Sequence, residues 1–300
     1  MARPIDLSII IVNYNTKELL KDCLESIQTS QELTSDEIFV VDNASSDKSV
    51  EMVKKDFPNV LLLSNRQNLG FAKANNQAIK KASGRYILLL NPDTKVEKNT
   101  LWEMIRFMEN NPKVGVATCR VELPNCELDR DCRRSFPTPW VSFSKFSGLA
   151  KIFPKTKLFG SYQLTYLDEK KLSEVDACVG AFMMVRREAI DKIGLLDERF
   201  FFYGEDLDWC FRFKEKGWQI VYNPSVKITH YKGASSGMKH SSQHVTTATT
   251  KAKRKALIAS TEAMKIFYQK HYQGRYPKVV TLLVFGGIWL LEKIRLAGVR

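Results

Sequence analysis

Residues 7–15 read LSIIIVNYN. The stretch 7–12 is an apolar run of the kind that a strand buried on both faces of a parallel sheet requires, and it stops abruptly at Asn13-Tyr14-Asn15. Asn15 and Glu18 then form a capping-box-like start to a helix. Leu19, Leu20, Cys23, Leu24 and Ile27 recur at helical spacing and give that helix one apolar stripe. The same switch of period repeats downstream. Strands are predicted over 38–41, 60–63 and 86–90, and helices over 49–57 and 72–82, the latter with Gly84 beyond its end. Strand and helix in alternation predict an α/β fold, a Rossmann-like, mostly parallel sheet with helices on both faces.

Polar residues gather just after these strands: Asn13, Tyr14 and Asn15; Asp42 and Asn43; Asn65 and Arg66; Asn91 and Asp93. Open α/β sheets bind ligands at the carboxyl ends of their strands, although polar residues also simply begin turns. The glycine fingerprint of dinucleotide enzymes is absent after the first strand, and so is the phosphate loop GxxxxGK[ST]. A nicotinamide enzyme and a P-loop NTPase are thereby disfavoured. A carboxylate such as Asp42 can accept the ring N–H of uracil or thymine. Asp93 can ligate a hard divalent cation, which prefers oxygen donors and bridges phosphates.

The middle of the chain, 114–175, reads as less regular, with a crossing loop over 133–140 (RRSFPTPW). Arg133 and Arg134 would grip a donor diphosphate or a lipid phosphate there, or simply sit in a solvated loop. Beyond it a strand is predicted over 179–185, a helix over 187–193, a helix over 205–216 closed by Gly217, and strands over 219–222 and 226–229 ending at His230. The stretch FFYGEDLDWCFR, 201–212, sets Glu205, Asp206 and Asp208 among aromatics. These acids are either the exposed first turn of an amphipathic helix or a base held in a dry pocket; Asp208, three residues after Glu205, reads as a cap or a solvated residue.

The chain has 300 residues and a formal net charge of +13. Residues 227–300 carry 14 Lys and Arg against two acids, Glu262 and Glu292, so nearly all of the excess lies there. Such a region seeks an anionic surface. No nucleic-acid motif accompanies it, and no nucleic-acid partner is expected. The stretch 232–255 is rich in Ser, Thr and Lys and reads as a loop, with His240 and His244 as a weak metal pattern. A helix is predicted over 256–271. The run VVTLLVFGGIWLL, 279–291, is too short as a helix to span a hydrocarbon core of about 30 Å. Flanked by Lys278, Lys293 and Arg295, it suits the interface of an anionic membrane or the surface of the main domain. The six cysteines show no paired or zinc-like spacing and read as reduced thiols. The apolar run near the start is too short for a secretory signal.

Taken in order, SIIIVNYN (8–15), VVDNASSD (40–47), NLGFAKANNQAI (68–79), LLLNPDT (88–94), VGAFMMVRREAIDKIGLLDERFF (179–201) and YGEDLDWCFRFKEKGW (203–218) resemble the family 2 glycosyltransferases of the GT-A fold, most closely the rhamnosyltransferase-like branch. The resemblance covers 6–235. It implies a catalytic domain over 1–235 and a basic helical extension over 236–300. It implies that Tyr14 and Asp42 contact the base of a nucleotide-sugar donor, and that Asn68, Gly70, Phe71, Asn75 and Asn91 border the donor. Asp93 matches the last acid of a DxD-like motif whose first acid is Asn91 here, and His230 completes a site for Mg²⁺ or Mn²⁺. Asp206 matches the catalytic base, with Glu205, Gly180 and Trp209 on the acceptor side. The implied reaction is inverting transfer, from dTDP-L-rhamnose or a UDP-hexose, to a glycan or polyprenyl-diphosphate-linked acceptor during cell-surface polysaccharide synthesis. The implied location is cytoplasmic, peripheral on the inner face of the plasma membrane. A non-catalytic nucleotide-sugar-binding domain or a basic nucleic-acid-binding protein are the rival readings.

Overall fold

The computed structural model describes residues 5–30, 36–232 and 250–298. Strands β1 (Leu7–Asn13), β2 (Asp36–Asp42), β3 (Leu61–Ser64) and β4 (Tyr86–Leu90) alternate with helices α1 (Lys17–Thr29), α2 (Ser49–Asp56) and α3 (Phe71–Ile79). Then follow β5 (Thr94–Val96), α4 (Thr100–Asn110), β6 (Val114–Glu122), a 3-10 turn at Arg130–Cys132, α5 (Pro139–Phe146), α6 (Leu149–Ile152), β7 (Ser173–Glu174) and β8 (Phe182–Arg186). The chain continues through α7 (Arg187–Ile193), α8 (Glu205–Glu215), β9 (Gln219–His230), α9 (Thr250–His271) and α10 (Lys278–Ala297).

One sheet of nine strands runs in the order β3-β2-β1-β4-β8-β6-β9-β5, with β7 also paired to β9. The pairings set β1, β2, β3, β4, β6 and β9 in one direction and β5, β7 and β8 in the other, so the sheet is mostly parallel. The parallel half is the part with the clearest sequence signal. Every residue of β1 and β4 is buried, as central strands covered on both faces must be.

This direction rule places the chemistry. The ends of β1, β2, β4, β6 and β9 all emerge at one edge of the sheet. β5 folds back against β9 so that Thr94 pairs with His230, and the amide of Tyr231 donates to the carbonyl of Asp93 at 2.8 Å. Asp93 and His230, far apart in sequence, are thereby neighbours.

Three expectations are corrected. The stretch 114–175 is not irregular throughout: it contains the nine-residue β6, held between β8 and β9. Gly115 and Arg120 break its apolar pattern, although Val114, Val116, Ala117, Cys119 and Val121 are all buried. The strands expected at 219–222 and 226–229 are one strand, β9. Pro224 sits where the register jumps from Cys119–Asn223 to Arg120–Lys227, and such an irregularity tolerates the missing N–H. The tail helix begins at Thr250, not 256. His240, His244 and the portion of the expected loop over 233–249 lie outside the described residues. The cysteines of the chain are free, and five of them are buried.

The C-terminal helices are not alike. Ala263, Phe267, Tyr268 and Tyr272 of α9 and the turn after it join the core cluster of the sheet. α10 packs along α9 through a hydrogen bond between the hydroxyls of Tyr268 and Thr281 at 3.1 Å and one from the Thr261 hydroxyl to Glu292 at 2.7 Å, yet leaves Leu282, Leu283 and Trp289 exposed. Among the described residues no helix is long and apolar enough to cross a membrane.

α9 is fastened by Asp208, which corrects the reading of that residue as a cap or a solvated acid. Asp208 is fully buried. Its carboxylate meets Arg212 at 2.9 Å, Lys270 at 2.7 Å and His271 at 2.8 Å. Burial pushes its proton affinity up, but His271 and Arg212 outweigh that and hold it below the ordinary carboxylate range. Removing one member of a buried charge cluster leaves the others uncompensated. Asp208→Ala is therefore expected to lower stability by about 3 kcal/mol or more in urea unfolding, with Lys270→Ala costing less; an unchanged midpoint in Asp208→Ala would show that this cluster does not hold α9.

Candidate active site

The site assembles from strand ends. At the end of β1, Asn13 donates to the Asp42 carboxylate at 2.9 Å and to the hydroxyl of Ser45 at 3.1 Å. The amide of Ser45 donates to the other Asp42 oxygen at 2.9 Å. Asp42 is thus buried and fixed, with lone pairs still available at each oxygen. Tyr14 stands 38% exposed beside it. At the next strand end the Asn43 side chain donates to the carbonyl of Gly70 at 3.2 Å and accepts from Asn65 at 2.9 Å. These contacts tie the tips of β2 and β3 to the 68–71 loop.

That loop needs its glycine. Gly70 has φ of +85°, and a Cβ there would lie 2.5 Å from the carbonyl oxygen of Phe201. Asn68 accepts from the Gly70 amide at 2.9 Å, and the Phe71 amide donates to that same Phe201 carbonyl at 2.9 Å. Gly180 gives the Phe71 ring its space, since a Cβ would meet the ring at 3.2 Å. Asn75 donates to the Phe71 carbonyl at 2.9 Å while its side-chain oxygen is buried without a partner. Asn91 contributes its backbone, its amide donating to Ala181 at 3.3 Å and its carbonyl accepting from Thr94 at 2.7 Å.

At the other half of the edge, His230 bridges two acids. Its Nε2 lies 3.2 Å from Asp93 and its Nδ1 3.1 Å from Asp129. All three are buried. Burial pushes the imidazole down, but the carboxylates of Asp93 and Asp129 outweigh it and hold the ring up to about 9. Lys232 closes the cluster on Asp129 and, at 2.5 Å, on Asp131. Asp129 and Asp131 carried no sequence signal, because they lie on an irregular turn. Among the described residues no group of three His, Cys, Asp or Glu side chains is set to hold a metal ion by itself. Asp93 and His230 do fit a divalent cation that takes its other ligands from phosphates and water. The cation would replace the proton between them, and Asp129 on Nδ1 is the carboxylate partner that orients metal-binding histidines.

The acids of 201–212 are in a dry pocket rather than on an exposed turn. Gly204, with φ of +85°, precedes α8, and Glu205 and Asp206 follow, both less than a tenth exposed. Arg134 donates to Asp206 Oδ2 at 2.5 Å and to the carbonyl of Cys178 at 2.9 Å. Burial opposes the charge on this guanidinium, but Asp206, Tyr162 and Asp131 raise its proton affinity above the ordinary arginine value. Arg134 is therefore an internal partner of Asp206, neither a phosphate grip nor a residue of a solvated loop. Arg133 is likewise committed, to the carbonyls of Asp168 and Leu167 at 3.1 and 3.0 Å. Trp209 is corrected too: it is fully buried, and its indole N–H donates to Gly194 at 2.9 Å, so it supports the core and does not border an acceptor.

Glu205 differs from its neighbour. Its Oε2 is buried without a hydrogen-bond partner, and burial, then the charge of Asp206, push its carboxyl up to about 8. The folded state thus binds this proton more tightly than the unfolded chain. That stability is fully present below 4.5, the ordinary value, and is lost as pH rises through about 8. Glu205→Gln, which mimics the protonated form, is expected to remove this part of the decline in melting temperature over that window. Parallel profiles for the two proteins would contradict the assignment.

The sequence model of the family Glycosyl transferase family 2 matches residues 8–194. The N-acetylglucosaminyl-diphospho-decaprenol L-rhamnosyltransferase of Mycobacterium tuberculosis is 25% identical over 242 residues, 77% of this chain and 78% of that one. The Escherichia coli K12 rhamnosyltransferase WbbL is 27% identical over 233 residues, 74% of this chain and 82% of its own. Among solved structures, GalNAc-T7 with UDP, GalNAc and Mn²⁺ superposes with a TM-score of 0.56 at 16% identity, over 77% of this chain and 44% of that one. TarS 1-349 of S. aureus gives 0.52 at 15% identity, over 85% and 65%. The α/β sheet is that of the GT-A glycosyltransferases, and the chain belongs to glycosyl transferase family 2.

Proposed function

We propose that the chain is an inverting glycosyltransferase that moves L-rhamnose from dTDP-L-rhamnose to a hydroxyl of a glycan carried on a polyprenyl diphosphate, in cell-surface polysaccharide synthesis. One observation carries the reading: two clusters of paired charges, close enough for their fields to meet, span the two halves of the site. One runs from Asp93 through His230, Asp129 and Lys232 to Asp131, whose field reaches Arg134 of the other, which holds Asp206. A transfer that separates charge needs both ends together: a base for the incoming hydroxyl and compensation for the leaving diphosphate.

In this reading Asp206 takes the acceptor hydroxyl proton as the oxygen forms its bond to the anomeric carbon. The bond from that carbon to the diphosphate oxygen breaks on the opposite face. Arg134 keeps the Asp206 carboxylate aimed, and Glu205 and Gly180 border the acceptor. Tyr14 and Asp42 receive the base, and Asn68, Gly70, Phe71, Asn75 and Asn91 line the donor. A Mg²⁺ or Mn²⁺ ion on Asp93 and His230 would supply positive charge to the diphosphate. The relatives named as rhamnosyltransferases favour the rhamnosyl donor.

A UDP-hexose is the second reading, because Asp42 would accept the same ring N–H from uracil and thymine, and a Haloferax volcanii hexosyltransferase is also similar, at 25% identity over 229 residues. A nucleic-acid role fits less well. Part of the basic tail is neutralised internally, Lys270 by Asp197 and Asp208 and Arg275 by Glu215. The tail's remaining charge, with the exposed apolar side chains of α10, suits contact of a basic helical extension with an anionic membrane at the cytoplasmic face.

Purified protein with Mn²⁺ or Mg²⁺ and a panel of nucleotide sugars tests the reading. Metal-dependent release of one nucleoside diphosphate is expected, suppressed by EDTA and reduced at least about a hundredfold in Asp206→Asn. Native turnover in Asp206→Asn would remove Asp206 from the chemistry.

A further inference from the structure

A second concavity backs onto the candidate site. It has a volume of about 500 Å³ between the 199–201 segment and residues 254–266 of α9. Its wall is shared with the catalytic loops. A Cβ at Gly204 would lie 3.1 Å from both Ala263 and the Phe200 ring, and Gly204 immediately precedes Glu205 and Asp206. The carbonyl of Phe201, whose side chain lines the groove, holds the Phe71 amide on the donor side.

The lining is of two kinds. Phe200, Phe201, Ile258 and Ile266 make it apolar, and Ile258 is 47% exposed there. Its charge is cationic. Arg199 is held by Asp197 at 2.6 Å, and the lining acid Glu262 pairs with Lys265 at 3.5 Å. Arg254 and Lys255 remain as the cations without an ion-pair partner among the described residues; both are exposed, with Lys255 Nζ 4.3 Å from the centre of the Phe201 ring. An apolar trough with two adjacent cations at its rim complements an anionic head on a hydrocarbon tail. A volume of this order suits a small amphiphile, and paired cations suit a doubly charged phosphate ester more than a single carboxylate.

We propose that this groove holds the prenyl diphosphate of a lipid-linked acceptor, with Arg254 and Lys255 on the diphosphate and Phe201, Ile258 and Ile266 on the first isoprene units. The inference rests on the glycosyltransferase reading of the neighbouring site and adds to it the place where the carrier is gripped. The carrier docks from the α9 side, and the glycan it bears reaches the acids over Gly204.

The probe is farnesyl diphosphate, titrated into the full chain by calorimetry beside inorganic diphosphate, farnesol and the soluble lipid dioctanoylphosphatidylglycerol. Farnesyl diphosphate is expected to bind more tightly than any of the other three. The double variant Arg254→Glu, Lys255→Glu is expected to weaken it about tenfold or more, and the surface variant Ile258→Asp to weaken it as well. Binding of a nucleoside diphosphate with Mn²⁺ should be the same in the native chain and all variants, which also reports an intact fold. Native-like binding of farnesyl diphosphate by both variants, or equal binding of dioctanoylphosphatidylglycerol by the native chain, would overturn the proposal. Loss of farnesyl diphosphate binding in the variants of a chain that binds no nucleoside diphosphate would support the groove and contradict the glycosyltransferase reading instead.

Discussion

The bond between Arg134 and Asp206 is the contact on which the rest of the site depends. A carboxylate among aromatics at the start of α8 cannot stay charged in a dry pocket without a partner, and a guanidinium buried beside it cannot either. Each makes the other tenable. The pair in turn fixes the 129–134 segment, because the backbone of Arg134 bridges to Ala177 by hydrogen bonds of 2.8 and 2.9 Å in the two directions. Once that segment is placed, Asp129 and Asp131 fall within reach of His230 and Lys232. An irregular turn thus carries charge from one end of the site to the other.

Buried charge recurs as a structural device in this molecule. Asp208 gathers Arg212, Lys270 and His271 and so docks α9 on α8. Two residues earlier Asp206 gathers Arg134. Successive acids of one helix therefore face opposite tasks: Asp208 turns toward the C-terminal helix and Asp206 toward the sheet edge. Glu205 has no ion-pair partner among the described residues, and burial pushes its carboxyl up to about 8. The basic tail is in this light partly an internal counter-ion and partly free surface. Lys270 and Arg275 are used within the fold, while Arg254 and Lys255 face outward.

The parallel half of the sheet was legible because its strands are buried on both faces and so are written as apolar runs, as in 7–12 and 86–90. The direction of those strands also made the polar residues at their ends readable as a ligand edge. The other half was harder to read. β6 has Gly115 and Arg120 within it, and β9 carries Pro224 at a register jump, so neither shows the expected period. Asp129 shows no pattern in the sequence, and Arg134 reads there as a phosphate grip or a solvated residue, because their partners lie 101 and 72 residues away. The resemblance sets Trp209 on the acceptor side, whereas its position on α8 turns it into the core. Asp208 misled because its partners lie on a helix more than sixty residues downstream.

In the proposed reaction the sheet edge sets Asp93 and His230 on one side of the donor diphosphate and Asp206 on the other. Anomalous diffraction from crystals grown with Mn²⁺ and dTDP tests it most directly. The account predicts a manganese peak at coordination distance from both Asp93 and His230, about 2.2 Å, with the diphosphate between it and the Asp206 carboxylate. A peak at Glu205 and Asp206, with Asp93 and His230 still joined to each other, would contradict it.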